Sequence, residues 1–99
     1  MFQAITADLG NPDQCRAAVD QTIRQFSLLD IFFGNAGIGK YGPFDSLPLE
    51  TWDANFNVNL RANFILTQAC LPHLRMTKGA IVFTASVSGK FGCSAFPLD

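Results

Sequence analysis

Residues that could border a bound ligand follow two short apolar stretches of this sequence. The first stretch, residues 30–33, has β-forming composition and stops at residues 34–37, Gly-Asn-Ala-Gly. The second, residues 80–85, runs into Ser86. Glycine allows a sharp turn or a close approach, and ligands usually bind at the carboxyl ends of strands in open α/β sheets. We therefore expect a ligand beside these strand ends, although such a tetrad in isolation more often only ends a strand.

Nucleophilic catalysis by Ser86 is disfavoured by its neighbours. A hydrolase nucleophile elbow has the pattern Gly-x-Ser-x-Gly, and Thr84 and Ser88 stand where the glycines would be. We therefore do not expect Ser86 to attack a substrate covalently. The simplest alternative is a serine that satisfies its own turn at the end of a strand, and this alternative fits Ser88 as well.

Metal-ion chemistry is not expected either. Cys15, Cys70 and Cys93 are odd in number, lie far apart and form no Cys-x-x-Cys pair. The single histidine, His73, has no second ligand at metal-binding spacing. Buried free thiols in a reducing cytoplasm are the preferred interpretation of the three cysteines.

The composition is that of a globular core. The chain of 99 residues is 48% hydrophobic with ten Phe and 15% charged, which suits one domain at most. The net charge of −1 and the lack of a basic run give no reason to expect nucleic acid or an anionic membrane as a partner. No uncharged stretch approaches the ~18–20 apolar residues of a membrane span, and residues 1–4 do not resemble a signal peptide. A cytoplasmic protein is expected.

The segment before the first apolar stretch predicts a strand, a turn and a helix. Residues 5–7 are interpreted as the end of a short strand, closed by residues 8–10. Asn11 can cap a helix, Pro12 suits its first position, and Gln14 is placed for a capping box. The positions predicted to form one buried stripe are Cys15, Ala18, Val19, Thr22, Ile23 and Phe26. This strand–helix–strand order predicts a parallel sheet that is covered on both faces.

The following segment predicts a loop and a long helix. Residues 38–48 form a Gly- and Pro-rich loop after a strand, where substrate loops usually lie. A helix is expected to begin at Ser46 or Leu47, and Pro72 is expected to bend or end it. Its recurring apolar positions are Trp52, Phe56, Leu60, Phe64, Thr67 and Leu71. Asn59 has poor propensity for a helix interior, so we expect either a functional role or a hydrogen bond to nearby backbone.

These stretches, in this order, resemble the short-chain dehydrogenase/reductase family, a Rossmann-type group of nicotinamide-dependent oxidoreductases. The matching segments are residues 7–9, 34–37, 52–60 and 79–89, which span almost the whole chain in the family's order. No one segment is specific, whereas the ordered set is. The resemblance implies an α/β fold with a Rossmann-type parallel sheet and flanking helices. Here the sheet would be incomplete, with three strands and two main helices in one partial NAD(P)-binding domain over residues 1–99.

The same resemblance implies which residues would bind the cofactor, NAD or NADP. Asp8 would accept a hydrogen bond from the adenine amino group, beside the backbone of Leu9, although a plain turn aspartate fits equally well. Asn35, Ala36 and Gly37 would line the cofactor groove, where small side chains let the backbone approach the ribose.

Two residues would take part in catalysis by the same resemblance. Asn59 would hold a water in a bend of its helix as part of a proton relay. Ser86 would orient the substrate carbonyl or hydroxyl while hydride moves to or from the nicotinamide. Gly34 departs from the family's usual Asn-Asn-Ala-Gly, which weakens one structural hydrogen bond without touching the cofactor contact. The implied substrate is a small secondary alcohol or ketone, and the full-length parent is expected to be a homo-oligomer.

Two parts of the family's machinery are missing from the sequence. No Gly-rich turn precedes Asp8, so the phosphate-binding first βα unit is absent. No Tyr-x-x-x-Lys follows Ser86, since the family's Tyr would fall at Asp99, and the only tyrosine, Tyr41, lies in another loop. We therefore expect a fragment of a larger oxidoreductase, from a truncated gene, a partial reading or a pseudogene, that is inactive alone.

The Rossmann strand order adds an expectation about folding. In the order 3-2-1-4-5-6, the strand that ends at Asp8 is third and the strand at residues 31–33 is fourth, so the two strands between them are absent. An isolated chain is expected to pair these two strands directly or to fold poorly. The functional alternatives to an oxidoreductase are a non-catalytic nucleotide-binding or interaction module on the same fold and a remnant without function.

Overall fold

The computed structural model describes residues 1–91 and shows two parallel strands with helices packed against them. Strand β1 (Ile31–Gly34) pairs with β2 (Ala80–Phe83), and Gly34 lies opposite Phe83. The other elements, in chain order, are helix α1 (Pro12–Phe26), a 3-10 turn (Phe44–Ser46), α2 (Leu49–Phe56), a π-helical turn (Asn57–Arg61, called the π segment below), α3 (Ala62–Thr77) and a second 3-10 turn (Val87–Gly89). The predicted α/β class and parallel sheet are confirmed.

Helix α1 begins where the sequence predicts. The Asn11 Oδ1 accepts hydrogen bonds from the backbone N–H groups of Asp13 at 2.9 Å and Gln14 at 3.3 Å. The predicted capping box is not formed, because the Asn11 N–H is donated to the carbonyl oxygen of Asp8. The Gln14 Oε1 instead accepts from the Asp8 N–H at 2.7 Å. The Gln14 side chain therefore ties the turn at Asp8 to the helix that follows it.

The long helices α1 and α3 pack against the same face of the sheet. Phe32 and Ile81 from the two strands point into this core. Its buried members are Val19, Cys70 and Leu74. On the opposite face Ile31 is 62% exposed and Phe33 57% exposed. The prediction of a sheet covered on both faces is wrong for residues 1–91, since both helices lie on one side.

The second helical region begins later than predicted and continues through Pro72. Its first helix starts at Leu49, directly after Pro48, because Ser46 belongs to the 3-10 turn. Helix α3 continues through Pro72 to Thr77, so Pro72 does not end it. A proline removes only its own N–H from the helical hydrogen-bond pattern, and the turns on either side can continue.

The apolar stripe predicted along this region is not its buried face. Trp52, Phe56, Leu60 and Phe64 are all exposed, by 44% to 63%. The buried positions of α3 are Ala62, Ile65, Cys70 and Leu74. Helix α2 has no buried residue, and the buried positions of α3 are those that pack against α1, so the stripe is exposed both before and after the π segment. On α1 the predicted stripe is buried at Cys15 and Val19.

The strand predicted at residues 5–7 is not formed, so the described sheet has two strands rather than three. Ile5 borders an apolar cavity beside Phe32 and Phe33, and the direct pairing of this segment with β1 is not observed. A strand requires a neighbouring backbone with which to exchange hydrogen bonds, and this requirement is not met for residues 5–7.

The buried thiols agree with the sequence interpretation. Cys15 and Cys70 are buried and free, and Cys93 lies outside the described residues. Within residues 1–91 no helix is long and apolar enough to cross a bilayer.

Candidate functional site

The carboxyl ends of the two strands are tied together by a side-chain hydrogen bond. The Thr84 hydroxyl donates to Asn35 Oδ1 at 2.8 Å, and the Thr84 N–H donates to the Gly34 carbonyl oxygen at 3.0 Å. The residue that follows β2 therefore fixes the orientation of the Asn35 side chain. From the sequence, Thr84 is expected to lie within the strand at residues 80–85 and to break a nucleophile-elbow pattern, and neither expectation indicates this hydrogen bond.

Gly34 is buried, and no larger residue fits in its place. A Cβ at this position would lie 2.6 Å from Asn63 Oδ1 and 2.6 Å from the Phe83 ring. Gly34 stands where the family usually has the first Asn of Asn-Asn-Ala-Gly, and packing explains this difference. Side chains from α3 and β2 lie against the backbone of β1 at this position and leave no room for a larger residue.

The side-chain amide of Asn59 pairs with the backbone of Ile38. Asn59 Nδ2 donates to the Ile38 carbonyl oxygen, Asn59 Oδ1 accepts from the Ile38 N–H, and both distances are 2.8 Å. Asn59 is the middle residue of the π segment, a feature that is frequent at functional sites. The predicted helix bend is thus a π turn, and it directs Asn59 at the loop that leaves Gly37. A Cβ on Gly37 would come within 3.3 Å of Asn59 Oδ1.

The π segment also holds the turn at Asp8. Arg61 Nη2 donates to the Gly10 carbonyl oxygen at 2.7 Å. Asp8 Oδ1 accepts from the Gly10 N–H at 2.9 Å, as a turn aspartate does, and Asp8 is exposed. One segment of helix therefore holds the residues that directly follow the two predicted cofactor-binding stretches, Gly10 and Ile38. The role of Arg61 was missed because its partner is 51 positions away.

A buried thiol lies under the same turn. Cys15 is fully buried, and its Sγ donates to the Leu9 carbonyl oxygen at 3.3 Å. Burial raises the pKa of the Cys15 thiol, and the nearby positive charge of Arg61 opposes this increase. Burial also raises the pKa of Cys70 in the second core cluster. Both thiols are therefore neutral packing groups at neutral pH, not activated nucleophiles.

Ser86 lies on an exposed turn after β2. Its Oγ accepts a hydrogen bond from the Ser88 N–H at 3.1 Å and so caps the 3-10 turn Val87–Gly89. The backbone is extended at Ser86, with φ −138° and ψ 143°. This geometry is that of the turn-satisfying serine in the sequence analysis, yet the hydroxyl hydrogen is not used in this bond and can be donated to another group.

The predicted site residues are brought together only in part. Gly37 and Asn59 lie next to each other beyond the carboxyl end of β1, and Asn35 is joined there to Thr84. Asn59 and Thr84 line one open cavity of about 400 Å³. Ser86 lines another of about 380 Å³, together with Lys90 and Phe91. Among residues 1–91 no group of three or more His, Cys, Asp and Glu side chains could hold a metal ion.

A family model described as short chain dehydrogenase matches residues 1–98. The chain belongs to the short-chain dehydrogenase family. Among its relatives, the chain is 36% identical over 83 residues to versicolorin reductase 1 of Aspergillus parasiticus, covering 84% of this chain and 31% of the relative. It is 38% identical over 92 residues to the (2S)-[(R)-hydroxy(phenyl)methyl]succinyl-CoA dehydrogenase subunit BbsD of Thauera aromatica, covering 92% and 37%.

A solved short-chain dehydrogenase from Burkholderia cenocepacia, in complex with NADP, superposes on this chain with a TM-score of 0.85 and 40% identity. The match covers 92% of this chain and 37% of that one. This short-chain dehydrogenase chain thus spans about a third of the length of the relatives it matches. The Rossmann-type architecture predicted from the sequence is confirmed by this likeness.

Proposed function

We propose that this chain is the central part of an NAD(P)-dependent oxidoreductase that interconverts a small secondary alcohol and a ketone. The observation that carries this proposal is the pair of hydrogen bonds between Asn59 and the backbone of Ile38. These bonds anchor the chain directly after residues 35–37, so the small residues at the carboxyl end of β1 stay exposed. The likeness to an NADP-bound dehydrogenase at 40% identity supports the same assignment.

The residues present fit a dinucleotide at this edge of the sheet. Asn35, Ala36 and Gly37 are all exposed, and a side chain at position 37 would crowd Asn59 and fill the groove. We assign these three residues to the ribose side of the cofactor, which supplies or accepts the hydride when it is bound. The exposed carboxylate of Asp8 and the backbone of Leu9 would contact the adenine, since Gly10 engages only the Oδ1 oxygen of Asp8.

Ser86 is proposed to orient the substrate through its hydroxyl hydrogen. The Ser88 N–H occupies one acceptor position of the Ser86 oxygen and fixes the oxygen on its turn. The O–H group can then donate to a ketone oxygen or, in the reverse direction, accept from an alcohol by rotating. A bond that polarises the carbonyl stabilises the negative charge that develops on its oxygen during hydride arrival.

Asn59 is proposed to act through its position in the π segment. Ile38 engages the oxygen and one of the two Nδ2 hydrogens of the Asn59 side-chain amide, so we assign this side chain to holding the loop. A water of the proton relay would therefore bind to a backbone carbonyl oxygen of the π segment. The Asn59 side chain would hold the loop at a fixed position against the helix, next to that water.

A serine variant tests the proposal in the whole protein that carries this sequence. We expect Ser86→Ala to reduce turnover of acetophenone or cyclohexanone by about 10²-fold or more, with the Kd for NADPH and NADH unchanged within about twofold. Ser88→Ala is the matched control, because Ser88 contributes only its backbone N–H to Ser86. Dinucleotide binding without turnover in the unaltered protein would contradict the oxidoreductase and favour a nucleotide-binding module.

A further inference from the structure

Asn55 repeats, one helical turn earlier, the contact that Asn59 makes with the loop. Asn55 Oδ1 accepts from the Lys40 N–H at 3.0 Å, and Asn55 Nδ2 donates to the Lys40 carbonyl oxygen at 2.8 Å. Two asparagines four positions apart on the helix thus pair with two residues, Ile38 and Lys40, that are two positions apart in the loop. We call this arrangement the asparagine ladder.

The ladder works because two backbone periods nearly coincide. One helical turn separates the two asparagines and runs from α2 into the π segment, and the same four residues of α-helix would rise about 6 Å. Two residues of extended chain advance about 6.6 Å. In an extended chain the N–H and C=O of one residue point to the same side, and alternate residues share that side. Residues 38 and 40 therefore both present a donor and an acceptor to the helix, and residues 37 and 39 do not. Asn55 and Asn59 take the place of a neighbouring strand.

Asparagine is the residue type that this contact requires. Its short amide carries one acceptor and two donor hydrogens, which matches one backbone N–H and one C=O. The second Nδ2 hydrogen of Asn55 is donated to the Thr51 carbonyl oxygen at 3.0 Å, and this bond fixes which way the amide faces. An aspartate in the same place would turn a carboxylate oxygen toward two carbonyl oxygens, those of Lys40 and Thr51.

The two rungs of the ladder lie at different parts of the site. The Asn59 rung is next to Gly37 and the groove assigned to the cofactor. The Asn55 rung is farther along the loop, where the next residue, Tyr41, folds back so that a Cβ on Gly39 would collide with its hydroxyl. Tyr41 is 64% exposed and Phe44 72% exposed, so this part of the loop presents aromatic surface.

We propose that Asn55 is a positioning residue that fixes loop 38–48 as a wall of the substrate site. The inference rests on the proposed function. The Asn59 rung holds the part of the loop beside the cofactor, and the Asn55 rung holds the part that contacts the alcohol or ketone. Losing the Asn55 rung therefore weakens substrate binding, while the cofactor groove keeps its own anchor at Ile38.

The test compares Asn55→Asp with Asn57→Asp in the whole protein. Asn57 is two positions along the same helix, and among residues 1–91 its side chain makes no hydrogen bond, so it controls for the added charge. We expect Asn55→Asp to raise KM for acetophenone or cyclohexanone about tenfold, with kcat and the Kd for NADPH within about twofold. Amide hydrogen exchange at Lys40 should accelerate and that at Ile38 should not. Asn55→Gln keeps the amide group, so its KM should lie between those of the unaltered protein and Asn55→Asp.

The outcomes separate this inference from the proposed function. An active Asn55→Asp protein with unchanged KM and unchanged exchange at Lys40 overturns the role of Asn55 and leaves the oxidoreductase intact. Equal losses of NADPH affinity and substrate affinity also overturn it, because they show a general collapse of the site. An unaltered protein that neither binds NADPH nor reduces either ketone overturns the proposed function, and the substrate role of Asn55 falls with it.

Discussion

The guanidinium of Arg61 donates a hydrogen bond at 2.7 Å to the carbonyl oxygen of Gly10, across 51 positions of sequence. Arg61 is the last residue of the π segment, and Gly10 closes the turn that carries Asp8. Together with the bond from Asn59 to Ile38, this contact makes one short piece of helix the support of two separate loops. The side chains of Asn59 and Arg61 therefore each support one side of the proposed cofactor groove.

The first prediction concerns this link. Arg61→Ala should lower the free energy of unfolding by about 1 kcal/mol and weaken NADPH binding about three- to tenfold, because the turn at Asp8 loses its tether. Chemical denaturation and fluorescence titration measure the two effects. Arg16→Ala is the control, since its ion pair with Asp13 is exposed and should contribute less than about 0.5 kcal/mol. Equal behaviour of the two variants would contradict the tether.

A pair of threonine variants tests the bond between the strand ends. Thr84→Val removes the donor to Asn35 Oδ1 and should lower the free energy of unfolding by about 0.5–1.5 kcal/mol. Thr67→Val should leave stability unchanged or raise it, because Thr67 Oγ1 is buried without a hydrogen-bond partner among the described residues. Urea denaturation of both proteins gives the comparison. A destabilised Thr67→Val protein would show that this hydroxyl has a partner after all.

Two glycine variants test the close packing at β1. Gly34→Ala should cost about 1–3 kcal/mol, since the new methyl group would meet Asn63 and the Phe83 ring at 2.6 Å. Gly89→Ala should change stability by less than about 1 kcal/mol, because nothing lies within 4 Å of the added Cβ. Thermal unfolding of both variants, followed by circular dichroism, makes the measurement. Similar melting temperatures would show that the sheet relaxes around position 34.

The buried thiols predict a loss of stability in alkali. Because burial raises the pKa of Cys15 and Cys70 above 9.0, the unfolded chain gives up their protons at lower pH than the folded chain does. The stabilisation that the two neutral thiols give to the folded state is fully present below pH 9.0, the ordinary pKa of a thiol. It is lost as the pH rises through the higher pKa values of the folded state. Between about pH 8 and about pH 11, the free energy of unfolding should therefore decline more steeply for the unaltered protein than for the double variant Cys15→Ala, Cys70→Ala. Chemical denaturation at each pH measures this free energy. Equal slopes would mean that the two thiols titrate alike in both states.

The sequence by itself determined the α/β class, the start of α1 and the existence of the two paired strands, although the second strand is shorter than predicted and ends at Phe83. Asn11 and Pro12 fix the start of α1 through local hydrogen bonding and backbone geometry, which neighbouring residues determine almost alone. The apolar stretches 30–33 and 80–85 predict two strands by composition, and the order of motifs indicates the family. The predicted roles of Asp8, Leu9, Asn35, Ala36, Gly37, Asn59 and Ser86 remain proposals.

Only the tertiary structure decided which faces are buried and how the site is held. The stripe through Trp52 and Phe64 has the periodicity of a buried face, yet it is exposed, because α1 packs against other positions of α3, such as Ile65 and Cys70. The contacts of Asn55, Asn59 and Arg61 join residues 15, 21 and 51 positions apart. Hydrogen bonds of such span depend on where two elements meet in space, and local sequence patterns carry no information about that distance.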